Sequence, residues 1–296
     1  MPSIVRILII GCGYVGLRLG AVLAWEGNEV SGIRRTAATD KELGDAGIKP
    51  LIADVTQPNS LARLPRAFDW IVNCVSSSRG GVKEYRRIYL QGMRNIVEWL
   101  RGAEVRKFVY TSSTSVYGQK DGSLITETEP ARPAAENAQV LVEAENVLLE
   151  AARQWKFPSV IMRISGIYGP GRGHWLKQYL AGEAVIEGSG DRILNMIHRD
   201  DVAGAIIAGL NLGRAGEIYN ATDDEPVKQF ELFQWLSRRL NRDLPPNKAA
   251  PQDSVRKRAT TNKRVSNLKL KQELGYILKY PNFRLGYEAE ILRLGL

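Results

Sequence analysis

Ile7-Leu8-Ile9-Ile10-Gly11-Cys12-Gly13-Tyr14-Val15-Gly16 is an apolar run that ends in Gly-x-Gly-x-x-Gly. A short apolar run is typical of a buried parallel strand, and glycines directly after it allow the backbone to turn tightly and approach a pyrophosphate. Residues 17–27 have the pattern of a helix that stops at a glycine, so the free amides at its start would face the phosphates. The stretch therefore predicts a dinucleotide-binding strand, turn and helix.

The composition is that of a globular protein. The chain has 296 residues, 44% of them hydrophobic and 25% charged, which is enough for one large or two ordinary domains. No apolar run approaches the ~18 residues that span a bilayer. The run at residues 4–10 contains Arg6 and lacks a signal-peptide cleavage site, so we expect a cytoplasmic protein. Cys12 and Cys74 are predicted to be reduced thiols, and two histidines are too few to indicate a zinc site.

The net charge of +9 is concentrated in one segment. Residues 238–271 hold 11 Lys and Arg against two acids, and the rest of the chain is neutral. The segment is either a solvated basic face, a contact for an anionic substrate such as a phosphorylated or nucleotide-linked sugar, or a nucleic-acid contact. Nucleic acid ranks last because aromatic residues are not interleaved with the cations.

Strands and helices are predicted to alternate along the first part of the chain. Further strands are expected at 29–33, 49–53, 68–75, 107–111 and 159–164, and two long helices at 84–100 and 134–154. Such alternation predicts an α/β fold, a Rossmann-like doubly wound parallel sheet covered by helices on both faces. Beyond Gly166 the elements become shorter, and we place the principal domain boundary there.

Strand ends supply the predicted cofactor contacts. Arg34 and Arg35 end the second strand, where an acid would bond the ribose 2′-hydroxyl and an arginine accommodates a 2′-phosphate. This favours NADP over NAD, unless the two arginines are only a solvated loop pair. Loop hydroxyls after the fourth strand are expected near the nicotinamide ribose, unless they only satisfy the loop backbone. The predicted cofactor residues are Gly11, Gly13, Tyr14, Val15, Gly16, Arg34, Arg35, Asp54, Val55, Ser76, Ser77 and Thr111.

Several later motifs carry a family resemblance. They are Thr111-Ser112-Ser113-Thr114-Ser115-Val116-Tyr117-Gly118, Arg163-Ile164-Ser165-Gly166-Ile167-Tyr168-Gly169-Pro170-Gly171, Ile197-His198-Arg199-Asp200-Asp201-Val202-Ala203 and Tyr219-Asn220-Ala221. With the glycine stretch and Asp54, they resemble the extended and atypical short-chain dehydrogenase/reductase superfamily, in its NAD(P)-dependent epimerase/dehydratase branch.

The resemblance implies a domain organisation and an oligomer. It implies a Rossmann domain at 1–165 and a smaller C-terminal substrate domain at 166–296, with a segment near 195–221 that returns to the sheet. It also implies a homodimer formed through the helices near 84–100 and 134–154.

The catalytic dyad of that family is missing. Its Tyr-x-x-x-Lys places both groups on one helix face, where the lysine lowers the tyrosine pKa for proton transfer. Aligning Ala144-Glu145 with the family's Ala-Glu puts Asn137 at the tyrosine position and Leu141 at the lysine position. No tyrosine occurs between residues 118 and 167. The standard dehydrogenase mechanism is therefore not expected.

Other residues are candidates for chemistry and substrate binding. By the resemblance, Ser113 is the catalytic hydroxyl that bonds a substrate oxygen. Tyr117 and Tyr168 follow strand ends and are candidates for proton transfer, with packing as the alternative; His198 is a weaker candidate. Arg172 and His174 are predicted to bind an anionic substrate.

Two functions remain open. The first is an NADP-preferring oxidoreductase or epimerase that acts on a sugar-nucleotide or another carbonyl or hydroxyl substrate through a non-standard acid/base group. The alternative is a non-catalytic NADP-binding redox sensor or assembly factor. An RNA-binding relative is a third and weaker hypothesis.

Overall fold

Seven parallel strands form the central sheet of the computed structural model, which describes residues 4–37, 40–77, 81–249 and 261–296. In these residues the strands are β1 (Arg6–Ile10), β2 (Glu29–Arg34), β3 (Ile48–Ile52), β4 (Trp70–Asn73), β5 (Lys107–Ser113), β6 (Leu124–Ile125), β7 (Ser159–Ile164), β8 (Gly166–Tyr168), β9 (Ile186–Glu187), β10 (Ile193–Leu194), β11 (Met196–His198), β12 (Ile218–Ala221), β13 (Val227–Lys228), β14 (Asn247–Lys248) and β15 (Arg264–Val265).

At least one helix lies between each two successive strands of the central sheet. The described helices are α1 (Tyr14–Trp25), α2 (Asp40–Asp45), α3 (Pro58–Leu61), α4 (Val82–Tyr85), α5 (Gly92–Trp99), α6 (Glu136–Trp155), α7 (His174–Leu180), α8 (Arg199–Leu212), α9 (Gln229–Leu240), α10 (Leu268–Leu274) and α11 (Phe283–Arg293), with a π-helical turn at Arg86–Gln91 and a 3₁₀ turn at Thr114–Val116.

The order of the central strands places a switch point at β1. The order is β12-β7-β5-β4-β1-β2-β3, and every neighbouring pair is parallel. The chain therefore runs outward from β1 in one direction through β2 and in the other through β4. Ligands of open α/β sheets bind at the carboxyl ends of the strands at such a point.

Alternate side chains of β1 are buried against opposite helical layers. Ile7 and Ile9 belong to the apolar cluster that includes side chains of α1, α8 and α10. Leu8 and Ile10 belong to the cluster that includes α5 and α6. Both faces of the sheet are thus covered, which confirms the predicted doubly wound α/β fold and explains why β1 is a continuous apolar run.

The predicted helix at 84–100 contains a π-helical turn. Arg86–Gln91 separates α4 from α5, so the segment is helical but not a regular α-helix. Arg86 forms a two-pronged ion pair with Glu143 of α6, with both N–O distances 2.7 Å. The two helices of the predicted homodimer interface therefore pack side by side within one chain.

The C-terminal part of the chain builds a third apolar cluster. It combines buried residues of α7, α9 and α11, among them Leu176, Phe233 and Tyr287. The segment predicted to return to the sheet includes β12, which pairs with β7 at the sheet edge. Part of the basic segment 238–271, residues 250–260, lies outside the described residues. Among the helices that are described, none is both long and apolar enough to cross a bilayer.

Candidate cofactor and active site

Backbone contacts close the glycine turn after β1. The amides of Gly11 and Cys12 donate to the carbonyl of Ile33, over 3.2 and 3.1 Å. Gly11 has a φ of +82°, and a Cβ built there would lie 2.7 Å from the Cα of Val75. A Cβ at Gly16 would lie 2.8 Å from the carbonyl oxygen of Gly11. The protein's own backbone therefore requires glycine at positions 11 and 16.

Gly13 has a different reason to be glycine. Its φ of −94° is negative, its ψ of −142° lies outside the main α and β regions, and a Cβ there would meet no described atom within 4 Å. It is the N-cap of α1, whose first residue is Tyr14, and no side chain caps this helix. Uncapped amides at a helix start bind phosphate groups. The open space above Gly13, at the switch point of the sheet, fits the pyrophosphate of a dinucleotide.

Arg34 lies directly beside the glycine turn. Its Nε donates to the carbonyl of Cys12 over 2.6 Å, and its Nη1 pairs with Glu42 at 2.7 Å. Arg35 is exposed. Arg34 thus supports the turn, and a cofactor 2′-phosphate would compete with Glu42 for its guanidinium.

The loop after β3 presents Asp54 and Val55. Oδ1 of Asp54 accepts the amide N–H of Thr56 over 2.9 Å, which fixes the carboxylate in a turn. Val55 is buried, and its carbonyl accepts a hydrogen bond from the side chain of Asn95 over 2.8 Å. The asparagine comes from α5, so a distant helix holds this loop in place.

The loop after β4 is supported by Tyr89, which the sequence did not indicate, and by Thr111, which it predicted as a cofactor contact. The amide of Ser77 donates to the hydroxyl of Tyr89 over 2.9 Å, while Ser76 is exposed. Thr111, on β5, donates its hydroxyl to the carbonyl of Asn73 over 3.1 Å. The hydroxyl of Thr111 therefore ties two strand ends together.

Ser113 ends β5 at the same edge of the sheet as the glycine turn. Its Oγ accepts the amide N–H of Ser115 over 3.1 Å, which leaves its own hydrogen for a substrate oxygen. Behind it, Ser112 donates to the buried carboxylate of Glu145 over 2.6 Å. Glu145 also pairs with the buried Arg163 at 2.6 Å. This pair links α6 and β7 and holds the end of β5 in place.

The two positions that we align with the dyad lie at the start of α6. Leu141 is only 7% exposed and belongs to a small apolar cluster with Val116, Tyr117 and Ile125. Position 141 is therefore a core position in this chain. The Oδ1 atom of Asn137 is buried and has no partner among the described residues.

Neither tyrosine candidate presents an open hydroxyl. Tyr117 is fully buried, and its hydroxyl donates to Asn220 over 2.9 Å. Tyr168 is buried as well, and its hydroxyl donates to the carbonyl of Asn282 over 3.4 Å. Burial raises the pKa of both hydroxyls, so both stay protonated at neutral pH. These surroundings favour the packing interpretation for both residues.

His198 is a buried, neutral ring. It is 2% exposed, and burial lowers its pKa to about 4. Its Nδ1 accepts the amide N–H of Asp200 over 3.2 Å, which caps the start of α8. The structural interpretation of His198 is therefore favoured over a proton-transfer role.

The two predicted substrate residues lie in different surroundings. The guanidinium carbon of Arg172 is 5.2 Å from the ring centre of Tyr14, beside the glycine turn. His174 begins α7, and its ring makes an edge contact with Trp175, 4.8 Å between centres. Arg172 is thus on the cofactor side of the site.

Lys263 is a buried cation within the basic segment. It is 4% exposed, and its Nζ donates to the carbonyl of Tyr117 and the hydroxyl of Thr261, both over 2.9 Å. Burial lowers its pKa to about 8. The solvated-face interpretation of the basic segment is therefore wrong for this residue.

One known protein resembles this chain along most of its length, and another along about half of it. The protein YeeZ of Escherichia coli K12 is 28% identical over 283 residues, covering 94% of this chain and 97% of that protein. Human dTDP-D-glucose 4,6-dehydratase is 31% identical over 163 residues, 52% of this chain and 46% of that protein.

A solved structure agrees with the fold over the whole chain. It is that of a Methylobacillus flagellatus protein proposed to be an NAD-dependent epimerase/dehydratase; it is 33% identical, has a TM-score of 0.80, and covers 99% of this chain and 100% of that one. The model of one family matches residues 7–222, from β1 to just beyond β12. The chain is therefore a member of the NAD dependent epimerase/dehydratase family.

Proposed function

We propose that this chain is an NADP-preferring oxidoreductase or epimerase that acts on a sugar-nucleotide or another substrate with a carbonyl or hydroxyl group. The observation that carries the proposal is the open space above Gly13, which shares one sheet edge with the hydroxyl of Ser113. A bound nicotinamide would supply hydride transfer. The sugar-nucleotide class is supported by the likeness to the human dehydratase.

Ser113 is the residue we assign to the substrate. Because its oxygen already accepts the amide of Ser115, its hydrogen is oriented away from that turn and is available to a substrate carbonyl or hydroxyl oxygen. The proton-transfer group is non-standard, since Leu141 occupies the lysine position and the nearby tyrosine hydroxyls are buried. Ser113 positions the reacting oxygen, and it does not require the dyad to do so.

The test is turnover with a matched variant. NADPH oxidation is measured over a panel of sugar-nucleotides, aldehydes and ketones, and epimerisation is followed by NMR. We expect one class to react and Ser113→Ala to lower kcat about 100-fold without changing the Kd for NADPH. NADPH binding with no turnover over the whole panel would contradict the enzyme proposal.

A non-catalytic NADP-binding redox sensor or assembly factor is the second candidate. It is favoured by Leu141, because an apolar side chain in a closed cluster cannot be recruited for proton transfer. NADPH turnover that depends on Ser113 would exclude this candidate. A change of oligomeric state or partner binding on NADPH addition, without turnover, would favour it.

The NADP preference is part of the proposal and rests on Arg34 and Arg35. Arg35 is exposed, so Arg35→Ala leaves the turn intact, whereas Arg34 also holds the carbonyl of Cys12. We expect Arg35→Ala to weaken NADPH about tenfold and NADH less than twofold, by titration calorimetry. The double variant Arg34→Ala, Arg35→Ala should lose more affinity for NADPH than the single variant. Equal losses for NADPH and NADH would show that these arginines do not contact a 2′-phosphate.

We also propose that two copies associate through the surface formed by the helical segments at 84–100 and 134–154, as the family resemblance implies. The support is that the ion pair of Arg86 with Glu143 already joins the two helical segments into one surface. Light scattering at micromolar concentration is expected to give a dimer, and a monomer mass would contradict it.

A further inference from the structure

The residues that follow β5 form one compact turn, the serine turn, at positions 113–117. The amide of Ser115 donates to Oγ of Ser113 over 3.1 Å, and the amide of Tyr117 donates to the carbonyl of Thr114 over 3.2 Å. The first bond sets the direction of the Ser113 hydroxyl. That direction therefore depends on where the rest of the turn holds the amide of Ser115.

Tyr117, at the far end of the serine turn, is fixed at three points. Its hydroxyl donates to Asn220 on β12 over 2.9 Å, and its ring centre lies 4.8 Å from the guanidinium carbon of Arg163 on β7. Its carbonyl accepts a hydrogen bond from Nζ of Lys263 over 2.9 Å. Asn220 and Arg163 belong to the central sheet, whereas Lys263 comes from the basic segment. Lys263 therefore links the C-terminal part of the chain to the serine turn.

The backbone around Lys263 is itself held in place. The carbonyl of Lys263 accepts Nδ2 of Asn195 over 2.9 Å, and Oδ1 of the same asparagine accepts the amide of Val265 over 2.8 Å. On the other side, the amide of Asn262 donates to the carbonyl of Gln119, over 3.0 Å, in the loop that follows the serine turn. The lysine side chain thus starts from a backbone that is bonded on both sides, which fixes where its ammonium lies.

The ammonium of Lys263 is buried without a carboxylate partner among the described residues. The residue is 4% exposed, and the described acceptors of its Nζ are the carbonyl of Tyr117 and the hydroxyl of Thr261. Its pKa, lowered by burial to about 8, leaves it mostly charged at pH 7. A buried charge that faces only neutral oxygens destabilises a fold, and an apolar side chain would fill the same space without that cost. Packing alone therefore does not require a lysine here.

We propose that Lys263 is a positioning residue for Ser113: it holds the serine turn so that the Ser113 hydroxyl is directed at the substrate oxygen. The inference rests on the proposed function of Ser113. A charged donor bonds a carbonyl more strongly than a neutral donor does, so it restrains the turn more tightly. Restraint matters because a displacement of about 1 Å at a reacting group can lower a rate about 100-fold. Lys263 acts through Tyr117 and does not contact the substrate.

Turnover by two variants of the full chain tests the inference. Lys263→Met keeps an unbranched stem of similar length and removes the donor. We expect kcat to fall about tenfold, with KM and the Kd for NADPH changed less than about twofold, because the turn shifts while the binding surfaces stay. Lys263→Arg keeps a cationic donor and is expected to retain kcat within about threefold of the wild type. Thermal unfolding of each variant shows that the fold is retained.

Hydrogen exchange of the serine turn gives a second measurement, which does not depend on turnover. Peptides that cover residues 113–117 are expected to exchange at least about tenfold faster in Lys263→Met than in the wild type. Lys269→Met is the matched control. Nζ of Lys269 also donates to a backbone carbonyl, that of Ile218 over 2.9 Å, but at the edge strand β12. Its loss should change neither kcat nor the exchange of the serine turn.

The outcomes separate this inference from the proposed function. An unchanged kcat in Lys263→Met overturns the inference and leaves the proposed function standing, whether or not the turn exchanges faster. An equal loss of kcat in Lys263→Met and Lys263→Arg also overturns it, since the shape of the side chain and not its donor would then matter. A wild type without turnover contradicts the proposed function. Exchange that is unchanged in Lys263→Met then shows, in addition, that Lys263 does not hold the serine turn.

Discussion

The glycine turn after β1 keeps the family's Gly-x-Gly-x-x-Gly motif, whereas the start of α6 lacks the family's Tyr-x-x-x-Lys dyad. At the turn, the backbone explains Gly11 and Gly16, while Gly13 borders a space that no described atom fills. At α6, the position that we align with the family's lysine holds Leu141, which is packed in an apolar cluster. One region keeps room for a ligand and the other has become core. The chain therefore retains the features that bind a cofactor and lacks those that carry the family's usual proton transfer.

The largest effect is expected from filling the turn itself. In Gly16→Val, the new Cβ would lie 2.8 Å from the carbonyl oxygen of Gly11 and 3.0 Å from Cγ2 of Ile9. We expect a loss of about 3 kcal/mol or more in the free energy of unfolding, together with loss of NADPH binding. Urea unfolding and calorimetry measure both. Gly44→Ala, which meets no described atom within 4 Å, is the control and should not destabilise.

Placing a lysine at position 141 should lower the free energy of unfolding nearly as much. Leu141→Lys places an ammonium against Val116, Tyr117 and Ile125, and the carboxylate of Glu145, one turn further along α6, is already paired with Arg163. We expect a loss of roughly 3 kcal/mol in unfolding free energy, against less than about 1.5 kcal/mol for Leu141→Met. Equal stability of the lysine variant and the wild type would mean that position 141 is still a polar site, and the comparison would fail.

A smaller effect is expected from the buried imidazole ring of His198. His198 has a folded-state pKa lowered to about 4 from an ordinary 6.5, so the unfolded chain binds more protons between these values. Its contribution to stability is complete above pH 6.5 and is lost as the pH falls toward 4. The wild type is expected to be more stable than His198→Gln at pH 7. We expect this difference in the free energy of unfolding to decrease by about 2 kcal/mol from pH 7 to pH 4. A gap that does not depend on pH would show that the ring is not buried as a neutral group.

Local sequence pattern was sufficient for the architecture but not for the contacts of the site. The apolar run of β1 and the motif after it predicted the doubly wound sheet, because both depend on neighbouring residues. The π-helical turn at Arg86–Gln91 has no signal in hydrophobic spacing. The bond from Arg34 to Cys12 joins residues 22 positions apart, and Lys263 reaches Tyr117 across 146 positions. Such contacts are set by tertiary packing, which spacing along the chain does not show.

Gly13, where a Cβ would meet open space and not a neighbouring atom, gives the most direct test. Gly13→Ala adds one methyl group to a space that no described atom occupies, so only the backbone ψ of −142° opposes it, and we expect a loss of about 1–3 kcal/mol in the free energy of unfolding with the fold retained. Calorimetric titration of NADPH into the wild type and this variant, below the unfolding transition of both, is expected to show binding by the wild type and at least tenfold weaker binding by the variant. Equal binding by the two proteins, or no binding by the wild type, would contradict the account that this turn is kept for a dinucleotide.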